Sequence, residues 1–469
     1  MTGTSNVPWR TLSPLYLGFF VVIASANVMS VATVDVASTL HVGLGAALWT
    51  TTGYLIPLAA LLMIGGRLGD RYGYRRVYIA GVVAFLLGSV LAARAPSLPV
   101  LIFGRATQGI GAGVMSPQPL AIITTTVTRV SRGTALGIWG ATSGLALLLG
   151  PVLGGLLLAV SSWRSIFVVT AVLTVVVLIL SAAVLPRTKH TAGPLDLPGA
   201  TLSAAGIAFL VAGTQQATAA TGSTTGPIIA IAAGIGLLTV FAVVERRAGD
   251  SALMPMSVLR DRSFISSGIG VAAAGFVISA IGLPIILWAQ RGHGSTELGS
   301  AVLIAPMALT TVIAAPIIGR HLTEARARVF IANGFLLLAA SIAVAAALTA
   351  AGVRPAWLLI PAAVLGAGAG MLWGPLASNS TTSIPVEFVG AASGLYNGLR
   401  QVGGVVGVSL VTLALQPSLT NLPDTGAATH DALKQFDAAT GISLLLPLAA
   451  AIGALAFTIR QPKTPPTPR

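Results

Sequence analysis

The sequence predicts an all-α integral membrane protein of fourteen transmembrane helices, arranged as two six-helix bundles with two further helices inserted between them. Its mean hydropathy is +0.90 and 55% of its 469 residues are apolar, more than is usual for a soluble protein. Apolar runs of about twenty residues, long enough to cross a hydrocarbon core of about 30 Å, recur along the whole chain. The positive charges lie mainly in the short segments between these runs.

Fourteen apolar runs can be placed as membrane spans. They lie at 14–38, 46–64, 76–94, 99–123, 134–158, 164–185, 198–217, 226–244, 264–288, 298–318, 328–350, 354–378, 390–414 and 439–459. An even number returns both termini to one side. With that side taken as the cytoplasm, its loops and the two tails hold nineteen of the 26 Lys and Arg residues, and the outer loops hold five. This asymmetry agrees with the positive-inside rule, whereas a twelve-span arrangement would leave two apolar runs as interfacial segments.

A charged turn at 65–76 follows the second span and has a weaker counterpart after the tenth. The first turn holds five charges, and the second, 319–324, is again followed by basic residues, Arg326 and Arg328. Similar turns at the same place in two six-helix blocks indicate duplicated halves, a pattern typical of transporters with a site near the membrane midplane. We therefore predict an N-terminal bundle (1–190), two inserted helices (191–250) and a C-terminal bundle with a short cytoplasmic tail (251–469).

The composition argues against several other classes of function. The chain has no cysteine, and its five histidines are far apart in sequence, so no metal site is indicated. No nucleophile–base pair is apparent and the loops are short, so neither an enzymatic activity nor a cofactor is expected. The net charge of +14 is scattered over short loops, so nucleic acid is not an expected partner.

The turn after the second span carries a motif. Its pattern over 66–76, G-x-L-x-D-R-x-G-x-R-R, resembles the loop 2–3 motif of the major facilitator superfamily, although Tyr74 stands where a basic residue is common. Glycine permits a tight turn, and Asp70 can pair with an arginine or cap the third helix. The resemblance implies the major facilitator fold and a cytoplasmic gate that controls the exchange between inward-open and outward-open states. The gate residues would be Gly66, Asp70, Arg71, Gly73, Arg75 and Arg76. Without the resemblance, the turn indicates only a positively charged inner loop.

The fourth span contains an arginine. Residues 104–113 read G-R-A-T-Q-G-I-G-A-G, with Arg105 near the start of the span. An arginine within a span costs about 2.5–3.5 kcal/mol on insertion scales, so it normally faces water or a partner. The run resembles the superfamily's helix 4 motif, in which this arginine is linked to proton transfer. The alternative is a structural role in which Arg105 bonds backbone carbonyls.

The fifth span is rich in small residues. It contains Gly137, Ala146, Gly150, Pro151, Gly154 and Gly155. Small residues let helices approach closely, and Pro151 frees the carbonyl of Leu147 and permits a bend. The spacing resembles the motif that marks antiporters within the superfamily, with Ala146 in place of one glycine. Small residues alone would indicate only close packing of helices.

Further segments resemble the fourteen-helix drug:proton antiporter branch of the superfamily. They are 196–199 before the seventh span, 245–247, 254–255 and 259–264 between the eighth and ninth, and 392–395 and 400–404 in the thirteenth. The resemblance covers nearly the whole chain. It implies an exporter of small, lipophilic or cationic compounds, acting as a monomer in a bacterial inner membrane and driven by protons without a cofactor. A nutrient importer of the same superfamily is the alternative; a membrane sensor or scaffold is disfavoured because no loop is large enough for an output domain.

One position departs from that branch. An acidic residue is usual midway along the first span, and Asn27, which cannot carry a proton, stands there. The nearest carboxylate is Asp35, eight residues on, about 12 Å further along a helix and on a broadly similar face. Asp35 is either a displaced proton carrier or a solvated residue at the outer helix end. We predict Asp35 and Arg105 as the residues of proton coupling.

A transport cavity should be mostly apolar with a few polar points. The candidates for its lining are Asn27, Trp49, Tyr54, Gln108, Trp139, Trp288, Trp373, Asn379, Asn397 and Arg400. For each aromatic residue the alternative is packing that faces lipid or the membrane interface.

Overall fold

A computed structural model describes residues 9–187, 196–218, 225–248, 256–420 and 430–460, and these residues are almost entirely helical. Thirteen helical segments within this part of the chain are long and apolar enough to cross a membrane. The predicted span 99–123 is not among them: it is divided into helices of 18 and 9 residues, and the longer piece contains Arg105 and Gln108. Pro117 lies between the two pieces, where it cannot donate a helical hydrogen bond. The all-α membrane class predicted from the sequence is confirmed.

The chain divides into two compact units, which are described separately. The first comprises Met1–Ala135, Thr142–Ile265 and Ser380–Gly398, and the second comprises Leu136–Ala141, Ser266–Asn379 and Leu399–Arg469. Four features of the prediction lie outside the described residues: the domain boundaries near 190 and 250, the segment 254–255 and the tail after 460. The division into two bundles and an insertion therefore stays a prediction.

The first unit holds the N-terminal helices and the two inserted ones. They are α1 (Trp9–Asn27), α2 (Met29–Thr39), α3 (Leu44–Ala47), α4 (Trp49–Tyr72), α5 (Tyr74–Ala93), α6 (Leu98–Met115), α7 (Gln118–Thr126), most of α8 (Arg129–Val160), α9 (Trp163–Val184), α10 (Leu197–Thr218), α11 (Thr225–Ala248) and α12 (Met256–Arg260). The first predicted span is thus two helices, which meet at Val28. Around that junction Met29, Trp163 and Phe167 pack into one apolar core.

The second unit holds the later helices. They are α13 (Arg262–Ala280), α14 (Gly282–Leu287) with a π-helical turn at Trp288–Gly292, α15 (Glu297–His321), α16 (Glu324–Ala350), α17 (Leu359–Asn379), most of α18 (Val389–Thr420), α19 (His430–Ser443) and α20 (Leu445–Arg460). The first ten residues of α18 belong to the first unit, and the six residues Leu136–Ala141 of α8 belong to the second. The helices α8 and α18 therefore each contribute to both units.

Several helices begin at a side chain that caps their own first turn. Asp196 accepts a hydrogen bond from the Gly199 amide (2.9 Å), and Asp261 accepts one from the Phe264 amide (2.8 Å). Such a cap satisfies an amide that has no partner within the helix. The segments 196–199 and 259–264, noted in the sequence for their resemblance to one transporter branch, thus have a local structural reason for their aspartates.

Candidate functional site

A buried carboxylate joins the charged turn to the start of α18. Asp70, in the last turn of α4, accepts hydrogen bonds from the amides of Gly390 (2.7 Å) and Ala391 (2.8 Å) and from the Tyr74 hydroxyl (2.8 Å). The two amides belong to the first turn of α18, where they have no partner within the helix, and a negative charge there also interacts favourably with the helix dipole. From the sequence, we expected Asp70 to pair with an arginine or to cap the third span. In the structure, two of its three hydrogen bonds come from the amides of α18. We call Asp70, Tyr74, Gly390 and Ala391 the Asp70 latch.

Glycine is required on both sides of this latch. A Cβ on Gly66 would overlap the carbonyl of Gly390, and a Cβ on Gly390 would overlap the Asp70 carboxylate. Gly73 separates α4 from α5 with a φ of 90°, a conformation that other L-residues rarely adopt. Tyr74, the departure from the superfamily pattern, supplies the third hydrogen bond to Asp70.

The arginines of the motif have other partners. The Arg75 guanidinium donates to the carbonyl of Ala182 (2.6 Å), the Arg71 guanidinium lies 5.3 Å from the Tyr72 ring centroid, and Arg76 is exposed. Of the predicted gate residues, Gly66, Asp70 and Gly73 form or border the latch, whereas these three arginines do not contact α18 through any described bond.

The counterpart turn at 319–324 has no equivalent carboxylate. Thr323, at the position of Asp70, accepts a hydrogen bond from the amide of Arg326 (3.3 Å) and so caps its own helix, α16. At the position of Asp70 the second unit therefore has a neutral helix cap, and its carboxylate, Glu324, comes one residue later in the first turn of α16.

Arg105 is fully buried and holds three helices of the first unit together. Its guanidinium donates to the carbonyls of Thr50 in α4 (3.0 Å) and Ser25 in α1 (3.2 Å) and to the Gln108 side chain in α6 (2.9 Å). It also lies 4.2 Å from the Tyr54 ring centroid, within the range of a cation–π interaction. These partners match the structural role for Arg105, in which it bonds backbone carbonyls. The role of Arg105 in proton transfer stays a prediction.

Two candidates for the cavity lining belong to this arginine network. Gln108 donates from its amide group to the Ser89 hydroxyl (2.8 Å), and Tyr54 donates to the carbonyl of Val22 (2.8 Å). Both side chains are fully buried and thus do not face open space in this conformation. They position Arg105, which lies between them.

The small residues of α8 contact α1 and α2 in the first unit. A Cβ on Gly150 would lie 3.2 Å from the carbonyl oxygen of Ala24 and 3.4 Å from the Asn27 Cβ, whereas a Cβ on Gly155 would meet nothing within 4 Å. Gly154 faces Val28, at the junction of α1 and α2, and Pro151 lies within α8 between these glycines. The end of the antiporter-like pattern therefore packs on the middle of the first span.

The start of the same pattern lies in the second unit. A Cβ on Gly137 would lie 2.5 Å from the carbonyl oxygen of Ala315 and 3.0 Å from the Gly319 Cα, both in α15. Because backbone atoms cannot move aside as a flexible side chain can, only glycine allows α8 and α15 to approach this closely.

We expect Gly137→Ala to separate α8 from α15, to destabilise the protein by about 1–3 kcal/mol and to impair transport. Gly236→Ala, in α11, is the matched control, since its methyl group enters open space, and it should behave as wild type. Thermal unfolding in detergent and transport in vesicles measure both effects. Equal behaviour of the two variants would contradict this assignment.

Asp35 lies at the end of α2 and caps another helix. Its carboxylate accepts a hydrogen bond from the Trp163 amide (3.0 Å) at the first residue of α9. Asn27, at the end of α1, donates to the carbonyl of Ile23 (2.7 Å) within its own helix. The cap gives Asp35 a structural partner; its role as a proton carrier stays a prediction.

The other cavity candidates fall into both units. In the second unit, the Arg400 guanidinium lies 5.7 Å from the Trp373 ring centroid, and Asn379 donates to the Ser267 hydroxyl (2.9 Å). Trp139 and Trp288 are buried in that unit, and in the first unit Asn397 is buried while Trp49 is 43% exposed. Arg400 of α18 thus pairs with Trp373 of α17, whereas Asn379 of α17 bonds to α13.

Several residues at these sites escaped sequence reasoning. The latch amides of Gly390 and Ala391 and the hydroxyl of Tyr74 were not predicted. A signal was present, because Pro385 before an apolar run marks a helix start, and a helix start is where a carboxylate binds. No pattern indicated the pairing of Trp288 with Asp437, which are 149 residues apart.

Comparisons with known proteins agree with this architecture. The Major Facilitator Superfamily profile matches residues 15–408. The chain is 32% identical to the cephamycin export protein CmcT of Amycolatopsis lactamdurans, over 95% of this chain and 92% of that protein. It is 31% identical to the puromycin resistance protein pur8 of Streptomyces alboniger, over 90% and 86%. The solved proton:xylose symporter XylE, bound to 6-bromo-6-deoxy-D-glucose, has a TM-score of 0.64 at 14% identity, covering 94% of both chains.

The chain therefore belongs to the Major Facilitator Superfamily, as the resemblance of its motifs predicted. It is a multi-pass membrane transporter of small molecules and not an enzyme.

Proposed function

We propose that this protein is a proton-coupled exporter of small organic compounds, working by alternating access in a bacterial inner membrane with both termini in the cytoplasm. The observation that carries the proposal is the Asp70 latch, in which a buried carboxylate binds the amides of the first turn of α18 within the first unit. Export as the direction is supported by the glycine pattern of α8 and by the two relatives, which are named for cephamycin export and puromycin resistance.

The latch provides a contact that can be made and broken. Its hydrogen bonds join a carboxylate to a helix N-terminus, an electrostatic contact that is strong when buried and weakens once water reaches the charged group. We infer that it closes the cytoplasmic side in one state of the cycle and opens to admit substrate. A lipophilic or cationic compound would then enter a mostly apolar cavity and leave on the outer side in exchange for protons.

Expression in an efflux-deficient bacterial host tests this function. Cells would be exposed to a panel of antibiotics and dyes that includes puromycin and ethidium, with and without a protonophore. We expect lower accumulation of at least one compound, reversed by the protonophore. In everted vesicles, an imposed gradient with an acidic interior should drive accumulation of the same compound. Net uptake of the compound into intact cells, or export that is insensitive to the protonophore, would contradict the proposal.

If Asp35 serves only as the cap of α9, Asp35→Asn should retain proton-driven export, because asparagine caps a helix about as well as aspartate. Asp35→Ala removes the cap and should lower stability by about 1 kcal/mol. Gradient-driven transport in everted vesicles and thermal unfolding measure the two effects. Loss of proton coupling in the Asn variant, with exchange of substrate intact, would instead identify Asp35 as the displaced proton carrier.

A further inference from the structure

Three side chains meet at the predicted outer end of the second unit. The Trp288 indole, in the π-helical turn after α14, donates a hydrogen bond to the Asp437 carboxylate in α19 (2.7 Å). His293, just beyond that turn, lies 4.0 Å from the Trp288 ring by centroids, and its Nε2 is 3.9 Å from the same Asp437 oxygen. We call Trp288, His293 and Asp437 the outer triad.

The geometry of His293 leaves room for one proton between the histidine and the aspartate. Its Nδ1 is 3.3 Å from the carbonyl oxygen of Trp288, which can only accept, so Nδ1 carries a hydrogen there. In a neutral imidazole the other nitrogen, Nε2, then presents a lone pair to the Asp437 carboxylate. Two lone pairs facing each other repel, and a proton on either group turns the contact into an attraction.

Asp437 has a different kind of hydrogen-bond donor from the other hydrogen-bonded aspartates in the described part of the chain. Each of those accepts a backbone amide at a helix start: Asp35, Asp70, Asp196 and Asp261. Among the described residues no backbone amide donates to Asp437, and the hydrogen bond that it accepts there comes from an indole although the residue is buried. A buried carboxylate needs opposite charge or several hydrogen bonds, so the environment of Asp437 depends on the protonation of its neighbour.

His293 is the ionisable side chain that faces the Asp437 carboxylate. Other charged side chains described on the adjoining segments are Arg291 and Arg354, and Asp431 and Lys434 on α19 itself, and all four are exposed. The helix α16 packs against α19 and has no ionisable residue in its last two turns. The backbone of Gly352, which follows α16, lies against Asp437. The side chains of His293 and Asp437 are 19% and 11% exposed, so protons from water can reach them.

We propose that the outer triad is a proton-binding site that takes up the transported proton from outside. The inference rests on the proposed proton coupling and gives it a carrier that Asn27 cannot be. One proton binds to the Asp437 carboxylate, facing the lone pair of His293 Nε2 3.9 Å away, and the resulting attraction draws the end of α14 towards α19. Loss of the proton loosens that contact, so the end of the ninth predicted span responds to external pH.

Spectroscopy of the purified full-length protein tests binding without any substrate. The pH-difference infrared spectrum should show the C=O band of a protonated carboxyl group, lost in Asp437→Asn and retained in Asp431→Asn, the exposed control on the same helix. Because the protonated carboxyl group faces the His293 Nε2 lone pair, His293→Phe, which keeps a ring against Trp288 and removes that acceptor, should shift the band. A band that persists in Asp437→Asn, or one that keeps its frequency in His293→Phe, would overturn the proposal.

Transport separates this proposal from the proposed function. In everted vesicles, the Asp437→Asn variant should lose the accumulation of puromycin that the proton gradient drives. In vesicles loaded with puromycin, the same variant should still exchange labelled for unlabelled puromycin. A variant that keeps gradient-driven accumulation overturns the outer triad, while a wild type without any protonophore-sensitive transport overturns the proposed function instead. If Asp437→Asn loses exchange as well, the infrared results on Asp437→Asn and His293→Phe decide.

Discussion

Asp70→Asn is expected to reduce transport about tenfold or more while the protein still reaches the membrane. Asparagine keeps one acceptor oxygen, but its NH₂ group would face one of the two amides of Gly390 and Ala391, and the charge at the helix start is lost. A hydrogen bond to a charged group contributes about 1.5–3 kcal/mol, and about 1.4 kcal/mol corresponds to a factor of ten. Export of puromycin or ethidium from cells, normalised to protein in the membrane, measures the effect.

Two further substitutions sharpen this test. Glu387→Gln removes an exposed carboxylate three residues before Gly390 and should leave transport unchanged. Tyr74→Phe removes one of the three hydrogen bonds to Asp70 and should have an intermediate effect. Full activity of the Asp70→Asn variant, or equal losses in the Glu387→Gln variant, would show that the latch does not control transport.

Arg105→Lys is expected to cost about 2–3 kcal/mol of stability and most of the transport activity. The ammonium group of lysine keeps the charge but cannot reach the carbonyls of Ser25 and Thr50 and the Gln108 side chain at once. The loss follows from the connection of α1, α4 and α6 through one planar group. Thermal unfolding in detergent and vesicle transport, measured on the same preparations, give both quantities.

The matched control is Arg94→Lys, at the exposed end of α5, which should change neither quantity. If Arg105→Lys unfolds as wild type and exchanges substrate but no longer couples to protons, Arg105 acts in proton transfer. If both stability and exchange fall together, its role is structural, as its carbonyl partners indicate. Wild-type stability and transport in this variant would exclude both roles.

Much of the fold followed from local patterns. Long apolar runs become helices in a membrane because only internal hydrogen bonds can satisfy the backbone there, so thirteen of the fourteen predicted spans coincide with long helices. Some spans are divided at a single position: Pro117 lies at the break in the fourth span, and the first, ninth and fourteenth spans change helix at Val28, Ile281 and Leu444. The turn at 66–76 was likewise visible in the sequence, because a cluster of charged residues and glycines between two apolar spans must lie at a water interface.

The sequence by itself determined the class of protein, the spans and the chemical types available at each site. The tertiary structure decided which groups meet: Asp70 with the amides of Gly390 and Ala391, Arg105 with carbonyls of two other helices, and Asp437 with Trp288 and His293. The physical reason is that helix formation depends on neighbours within a few residues, whereas these contacts join groups 55 to 321 residues apart. In addition, several of the partners are backbone amides and carbonyls, which every residue carries and no sequence pattern distinguishes.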